Sequence, residues 1–307
     1  MRIALIGQAA FGERVMQALL QRGEQVVGVY LPDDTPGRPD PLKEAANRLG
    51  VPVFQPGRRW GAETYAEYAK LKPDLNVMAF VTDILPLNVL NYPELGTIQY
   101  HPSLLPKHRG GSAINWAIIN GESKTGVTIF WPDENIDTGP ILLQKEVDIS
   151  PDDTVGSLYF DKLFPLGVEA LIESIELIRA DKAPRIPQDE SQATYEALCT
   201  EKEAVIDWAE PVYTVYNLIR GTNPKPGATT YFQRMSLKIF DSELLGVRWD
   251  SPQGEVVEIT EKGIMVSGKG GSILVKRVQP EGSAKMAAFE YTQSTSLKVG
   301  DRFGPKT

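Results

Sequence analysis

The sequence predicts an α/β fold, a mostly parallel sheet covered by helices, followed by a small antiparallel barrel. Three observations predict it. Short apolar runs alternate with helix-spaced segments through the first half of the 307 residues. Turn-forming residues separate these runs. After about residue 200 the texture changes to brief strand-like runs broken by Gly, Pro and Asp. Alternating strands and helices imply right-handed crossovers and a parallel sheet, whereas short strands at regular spacing imply a barrel.

Ile3 to Ile6 has the length of a buried strand, and Phe11 to Leu20 follows with Val15, Ala18 and Leu19 at helical spacing. Gln25 to Tyr30 is a second strand. Pro41 to Leu49 reads as a helix that Gly50 stops. Val51 to Phe54 is a short strand and Thr64 to Leu71 a helix. Leu75 to Val81 and Gly96 to Tyr100 are further strands. Val127 to Trp131 and Ile141 to Val147 flank a loop rich in Asp, Asn, Gly and Pro. A long helix is expected over Asp153 to Ala180, and Asp181 to Glu190 reads as a polar linker. Beyond it, Pro211 to Arg220 is helical. Thr229 to Phe232, Ser236 to Phe240, Gly254 to Ile259, Gly263 to Ser267 and Ser272 to Val278 supply the barrel. The resulting division is a Rossmann-like domain over 1–200 and an OB-like barrel over 201–307.

Bulk properties exclude several classes. A net charge of −8 argues against a chain held to nucleic acid by broad electrostatics. One cysteine, Cys199, excludes an intramolecular disulfide and a multi-cysteine zinc site. Two histidines exclude a His-rich metal centre, so no metal is expected. No run of roughly 18 apolar residues suggests a membrane span. The amino terminus runs straight into a strand broken by Gly7, unlike a signal peptide, so the cytosol is the expected location. Gly7 and Gly12 stand five apart with no central glycine between them, so NAD is not expected there. That segment reads either as a tight strand-to-helix turn or as a close approach of ligand to a helix N-terminus. No Walker A lysine and no Gly-x-Ser-x-Gly is present.

Chemistry points to the end of the strand Gly96 to Tyr100. His101 follows it directly, bracketed by Pro102 and Pro106, which restrict the backbone. Open α/β sheets bind ligands at the carboxyl ends of their strands. A lone histidine there reads as structural or catalytic. Asp137, in Asn135-Ile136-Asp137-Thr138-Gly139, reads as a turn residue or as a carboxylate on a loop that leaves another strand end. Together an imidazole and a carboxylate form a minimal set for proton transfer and oxyanion stabilisation.

The run His101-Pro102-Ser103-Leu104-Leu105-Pro106, with Ile136-Asp137-Thr138-Gly139 downstream, resembles the folate-dependent formyltransferase family. The resemblance extends over essentially the whole chain. It is nearest to the amino-terminal hydrolase domain of 10-formyltetrahydrofolate dehydrogenase, with methionyl-tRNA formyltransferase next. Ala4 to Gln8, Asp40 to Leu42, Tyr100 to Gly110, Ser112 to Trp116, Ile129 to Trp131, Ala193 to Glu196 and Ile219 to Gly221 carry it. Complete dehydrogenases add carrier and aldehyde-dehydrogenase domains, which the 307 residues do not include. Most transferases of the family place Asn two residues before the histidine. Here that position is Gln99.

The resemblance implies direct attack on the formyl carbon of 10-formyltetrahydrofolate. His101 is then expected to donate to the developing oxyanion, Asp137 to take the nucleophile's proton, and Gln99 to contact the formyl oxygen. It implies a pterin pocket from Phe80, Thr82, Asp83, Ile84, Leu85 and Pro86 with Pro132, Asp133 and Glu134, and an acceptor side from Ser103, Lys107 and Arg109. Leu31 to Pro41 carries Asp33, Asp34 and Asp40 against a lone Arg38, a poor match for tRNA. Water or a small amine is therefore the preferred acceptor, with tRNA or a sugar nucleotide as alternatives. A non-catalytic folate-binding module and a Rossmann-type reductase are the competing readings. The oligomeric state stays open.

Overall fold

The computed structural model describes residues 1–57 and 60–304, so the last three residues of the expected second domain lie outside it. The chain forms two compact units. One comprises Met1–Gly110, Gly126–Val147 and Asp161–Tyr195, and the other Gly111–Thr125, Asp148–Phe160 and the chain from Glu196 onward.

Seven strands make the sheet of the first unit: β1 (Arg2–Gly7), β2 (Gln25–Tyr30), β3 (Val53–Phe54), β4 (Leu75–Ala79), β5 (Thr97–His101), β6 (Lys124–Phe130) and β7 (Ile141–Asp148). Their order is β3-β2-β1-β4-β5-β6-β7. From β3 to β5 all pairings are parallel. β6 is antiparallel to β5, with Gln99 opposite Phe130 and His101 opposite Thr128. The carboxyl end of β6 therefore lies beside Gln99 and not beyond His101. The loop that follows must turn back, and Trp131 N–H closes its base on the Pro140 carbonyl at 2.9 Å.

α1 (Ala9–Gln21), α2 (Pro41–Leu49), α3 (Ala62–Lys70) and α4 (Leu87–Leu90) join these strands. α2 starts where the Asp40 carboxylate accepts from Leu42 N–H at 2.8 Å and ends at Gly50 with φ 70°. Asp40 also accepts from Ala9 N–H at 2.9 Å. The helix N-terminus that could receive an anion thus already holds a carboxylate. A Cβ at Gly7 would lie 2.3 Å from the Ala79 carbonyl oxygen, so this glycine serves strand approach. Between β5 and β6 the chain enters the second unit for α5 (Ala113–Ile119), and after β7 for α6 (Val155–Ser157). A π-helical turn over Leu158–Leu163 leads into α7 (Phe164–Arg179). Gly167 of α7 faces Tyr100 and Phe11 at distances only glycine permits. Tyr100 therefore points at α1 and α7, and by strand alternation Gln99 and His101 point to the opposite face.

The second unit adds α8 (Val212–Gly221), two four-stranded sheets and α9 (Ala288–Ser294). One sheet contains β8 (Ala228–Phe232), β9 (Met235–Ile239), β14 (Arg277–Pro280) and β15 (Met286–Ala287). The other contains β10 (Ser242–Leu245), β11 (Val256–Thr260), β12 (Gly263–Gly268) and β13 (Gly271–Val275). The pairings are antiparallel, and one apolar core including Trp208, Ile219, Val266, Val275 and Phe303 fills the unit.

Two boundaries differ from the sequence reading. Gly111–Thr125 belongs with the second unit because α5 packs on α8, where Asn115 Nδ2 donates to the Gly221 carbonyl at 2.8 Å. Asp181 to Glu190 is an arm of the first unit rather than a free linker. Ile141 and Ile186 exchange both backbone hydrogen bonds, at 2.8 and 2.9 Å.

Candidate functional site

His101 ends β5 with 5% exposure. Its Nε2 lies 2.8 Å from the His108 carbonyl oxygen. A carbonyl only accepts, so Nε2 carries the hydrogen and donates it. Nδ1 lies 3.5 Å from Asp137 Oδ2. In a neutral ring Nδ1 is then bare, and a hydrogen bond to Asp137 forms only when the pair holds one further proton.

Asp137 is buried at 6% exposure within a loop whose residues 133–136 are exposed. Its Oδ2 also accepts from Gly110 N–H at 2.8 Å. Asp137 and His108 both adopt φ 57°, an uncommon backbone state for these side chains that needs support from their surroundings. That support is explicit. Gln188 Nε2 donates to the Asp137 and Gly139 carbonyls, each at 2.8 Å. A Cβ at Gly139 would fall 1.8 Å from the Trp131 carbonyl oxygen, so only glycine fits. His108 N–H donates to Thr194 Oγ1 at 2.8 Å.

The loop after His101 is anchored through Thr128, which donates to the Ser103 carbonyl at 2.6 Å and accepts from Leu105 N–H at 3.1 Å. Gln144 Nε2 donates to the Leu105 carbonyl at 2.8 Å. None of Thr128, Gln144 and Gln188 is singled out by the sequence. Each acts on backbone carbonyls, a role without a spacing signature.

Gln99 is half-buried, on the same strand face as His101, and its amide makes no hydrogen bond among the described residues. The three residues expected on the acceptor side part company. Lys107 is exposed. Ser103 is fully buried, its hydroxyl donating to the Lys107 carbonyl at 2.6 Å. Arg109 has a side chain with 0% exposure. All five of its N–H groups are engaged, with Gln188 Oε1, both Glu190 oxygens and the Tyr195 hydroxyl. The Glu190 hydrogen bond holds the Arg109 guanidinium pKa above its ordinary value. Ser103 and Arg109 thus shape the loop from inside, because their polar atoms are consumed by backbone and neighbouring side chains.

Phe80, Thr82, Asp83, Ile84 and Leu85 line one pocket at the carboxyl ends of β1, β2 and β4, together with Gln8, Tyr30 and Trp60. Ile84 is 73% exposed, a large apolar side chain at the pocket rim, whereas Leu85 is 6% exposed. The Tyr30 hydroxyl is buried without a hydrogen-bond partner among the described residues, and burial raises its pKa. Pro86 caps α4. Pro132, Asp133 and Glu134 do not line this pocket. Asp133 Oδ1 instead accepts from Asn135 N–H at 3.0 Å and Thr138 Oγ1 at 2.6 Å, folding the loop that presents Asp137. Among the described residues no cluster of three or more His, Cys, Asp or Glu could hold a metal ion. No helix among them is long and apolar enough to cross a membrane.

Comparisons with known proteins bear on this site. A family model described as formyl transferase matches residues 1–175, and one described as formyl transferase, C-terminal domain, matches 199–296. The mitochondrial 10-formyltetrahydrofolate dehydrogenase of Mus musculus is 40% identical over 97% of this chain, which spans 34% of that protein's length. Methionyl-tRNA formyltransferase of Desulforamulus reducens is 38% identical over 99% of this chain and 98% of its own. An N-formyltransferase from Helicobacter canadensis, solved with folinic acid and dTDP-3-aminofucose, superposes with a TM-score of 0.71 at 20% identity, covering 91% of this chain and 99% of that one. HypX from Aquifex aeolicus, solved with tetrahydrofolic acid, gives 0.70 at 19% identity over 98% of this chain and 48% of its own. With one family model over its first 175 residues and relatives at about 40% identity along nearly all its length, this chain belongs to the formyltransferase family of enzymes.

Proposed function

We propose that this protein is a cytosolic enzyme that removes the formyl group from 10-formyltetrahydrofolate and passes it to water or a small amine. The observation that carries the reading is the buried pair His101 and Asp137, 3.5 Å apart, with the unengaged Gln99 amide on the same strand face. The pterin stacks in the pocket of Phe80, Thr82, Asp83, Ile84 and Leu85, with Pro86 beside it, while Pro132, Asp133 and Glu134 lie outside its lining and shape the loop that presents Asp137. The Tyr30 hydroxyl gains a partner when the pocket fills. Lys107 is the charged group left for the acceptor side.

The proton inventory assigns the roles. His101 begins neutral, its Nε2 hydrogen on the His108 carbonyl and Nδ1 bare. As the nucleophile bonds to the formyl carbon, Nδ1 takes its proton and the carbonyl electrons move onto the formyl oxygen. The Gln99 amide donates to that oxygen. The imidazolium is held between the Asp137 carboxylate and the His108 carbonyl. Nδ1 then returns the proton to the leaving folate nitrogen as the carbon–nitrogen bond breaks. Tetrahydrofolate leaves with formate, or with a formylated amine. This differs from the division expected from the resemblance, because the Nε2 hydrogen is already committed to His108.

A second reading, formyl transfer to methionyl-tRNA, is favoured by the end-to-end match to the Desulforamulus reducens protein. One experiment separates the two and tests the first. The protein is incubated with 10-formyltetrahydrofolate alone, then with charged initiator tRNA or small amines, and formate and formylated products are quantified. Acceptor-independent formate release supports the proposal. Turnover that appears only with tRNA replaces it with the second reading, and no loss of formyl from the folate under any condition overturns both.

A further inference from the structure

The second unit carries a cleft that the formyl chemistry leaves unused. Its volume is about 710 Å³, and Lys225, Lys238 and Lys285 wall it with Cys199, Glu201 and Phe240. The chain as a whole carries −8, so three lysines around one concavity run against the overall balance. Lys238 is partly answered, its Nζ lying 2.6 Å from Glu201 Oε1 and 3.1 Å from the Pro226 carbonyl. Lys225 and Lys285 make no ion pair among the described residues. Lys285 Nζ instead stands 3.3 Å from the centroid of the Phe240 ring, which is 3% exposed and so fixes its height.

We propose that this cleft binds the phosphate or diphosphate group of a small molecule. Among the residues that line the cleft, Glu201 is the one carboxylate set against the three lysines. The Lys285 ammonium pKa is lowered first by burial, and the nearby cations Arg277, Lys225 and Lys238 lower it further, with Asp241 opposing. A dianion in the cleft counters that lowering. Its size fits a small molecule, since such sites run from roughly 300 to 1,000 Å³. A nucleic acid backbone would call for a wider basic face, because such proteins neutralise several phosphates along a strand. The cleft lies wholly within the second unit, and the inference stands apart from the acceptor of the formyl group.

Calorimetric titration of the full chain with inorganic pyrophosphate tests it. Binding with Kd of about 1 mM or tighter is expected. Lys225→Gln and Lys285→Gln each weaken it about tenfold, as expected for loss of a charge-assisted contact. Lys262→Gln, an exposed lysine outside the cleft, leaves it unchanged and controls for net charge. Near-UV circular dichroism checks that each variant is folded. Absence of binding up to about 10 mM, or equal weakening by all three substitutions, overturns the proposal. So does tight binding of tRNA that pyrophosphate fails to displace, since the cleft would then be part of a polyanion surface.

Discussion

With its Nε2 hydrogen committed to the His108 carbonyl, His101 has one nitrogen left for chemistry, and Asp137 decides what that nitrogen can do. One oxygen, Oδ2, faces both Gly110 N–H and His101 Nδ1, so Asp137→Asn keeps the shape and, with its amide oxygen turned to Gly110, removes the charge that holds the imidazolium. We expect kcat to fall by about 10²–10⁴-fold with KM little changed, as for loss of a general base. A variant retaining more than half its turnover would remove His101 Nδ1 from the mechanism. Arg109 makes a complementary point. Lysine at 109 keeps the charge but offers three donors where five are used, so the arm bearing Gln188 and Glu190 loses its tie to the loop. Arg109→Lys is expected to lower kcat by about 10²-fold through misplacement of the pair. Unchanged kinetics would show the clamp to be dispensable. Cys199 behaves oppositely. Burial, and then Glu203, push its thiol up to about 11 from 9.0, so thiolate is roughly a hundredfold scarcer at neutral pH. Alkylation by iodoacetamide at pH 7.5 should be correspondingly slower than for a free thiol, and labelling as fast as glutathione would contradict the raised pKa of this half-buried thiol. His101 and Asp137 stand out in the sequence because they sit in a motif, and the structure brings the two side chains to 3.5 Å. Gln188, Thr128 and Gln144 do not stand out, because a side chain that holds a backbone carbonyl leaves no pattern.

Elements carry the next level of precision. Gly167 lets α7 approach β5 so closely that a Cβ would stand 2.4 Å from Tyr100 Cε2 and 3.1 Å from Phe11 Cε2. Tyr100 is the residue between Gln99 and His101, so any shift there is felt on the strand face that carries those two side chains. Gly167→Ala should destabilise the protein by about 1–3 kcal/mol through overpacking. That corresponds to roughly 2–4 °C in Tm per kcal/mol for a domain near this size, read by differential scanning calorimetry. An unaltered Tm with normal activity would mean that the helix moves away at no cost. The strands and helices around this contact were readable from apolar periodicity. Gln25 to Tyr30 coincides with β2, a short apolar run buried from Val26 onward, and Pro41 to Leu49 with α2, whose ends are marked by Asp40, Pro41 and Gly50. The direction of β6 was not readable. An apolar run of its length fits a parallel or an antiparallel neighbour equally, and only the short Thr128–His101 register reveals the reversal.

At the scale of the whole molecule, chain order and compact units disagree. The sequence places one cut at residue 200, where composition changes, yet 111–125 and 148–160 fold with the later chain. Composition could not show this, because α5 is an ordinary apolar helix whose partner lies about a hundred residues on. Ala117 and Ile118 of α5 are fully buried, Asn115 bonds to Gly221, and a Cβ at Gly221 would stand 2.6 Å from Ile119 Cγ1. A fragment of residues 1–200 keeps α5 but removes α8, exposing that apolar face and stranding the Asn115 amide without its carbonyl. We expect this fragment to bind 8-anilinonaphthalene-1-sulfonate, to lose its near-UV circular dichroism, and to melt without a cooperative transition. Supplying 201–307 as a separate chain should restore part of the near-UV signal, because the missing α8 surface returns. If 1–200 alone melts cooperatively at the temperature of the full chain, α5 does not depend on α8. The boundary at 200 would then be the physical one, and the interleaving of the units would carry no energetic weight.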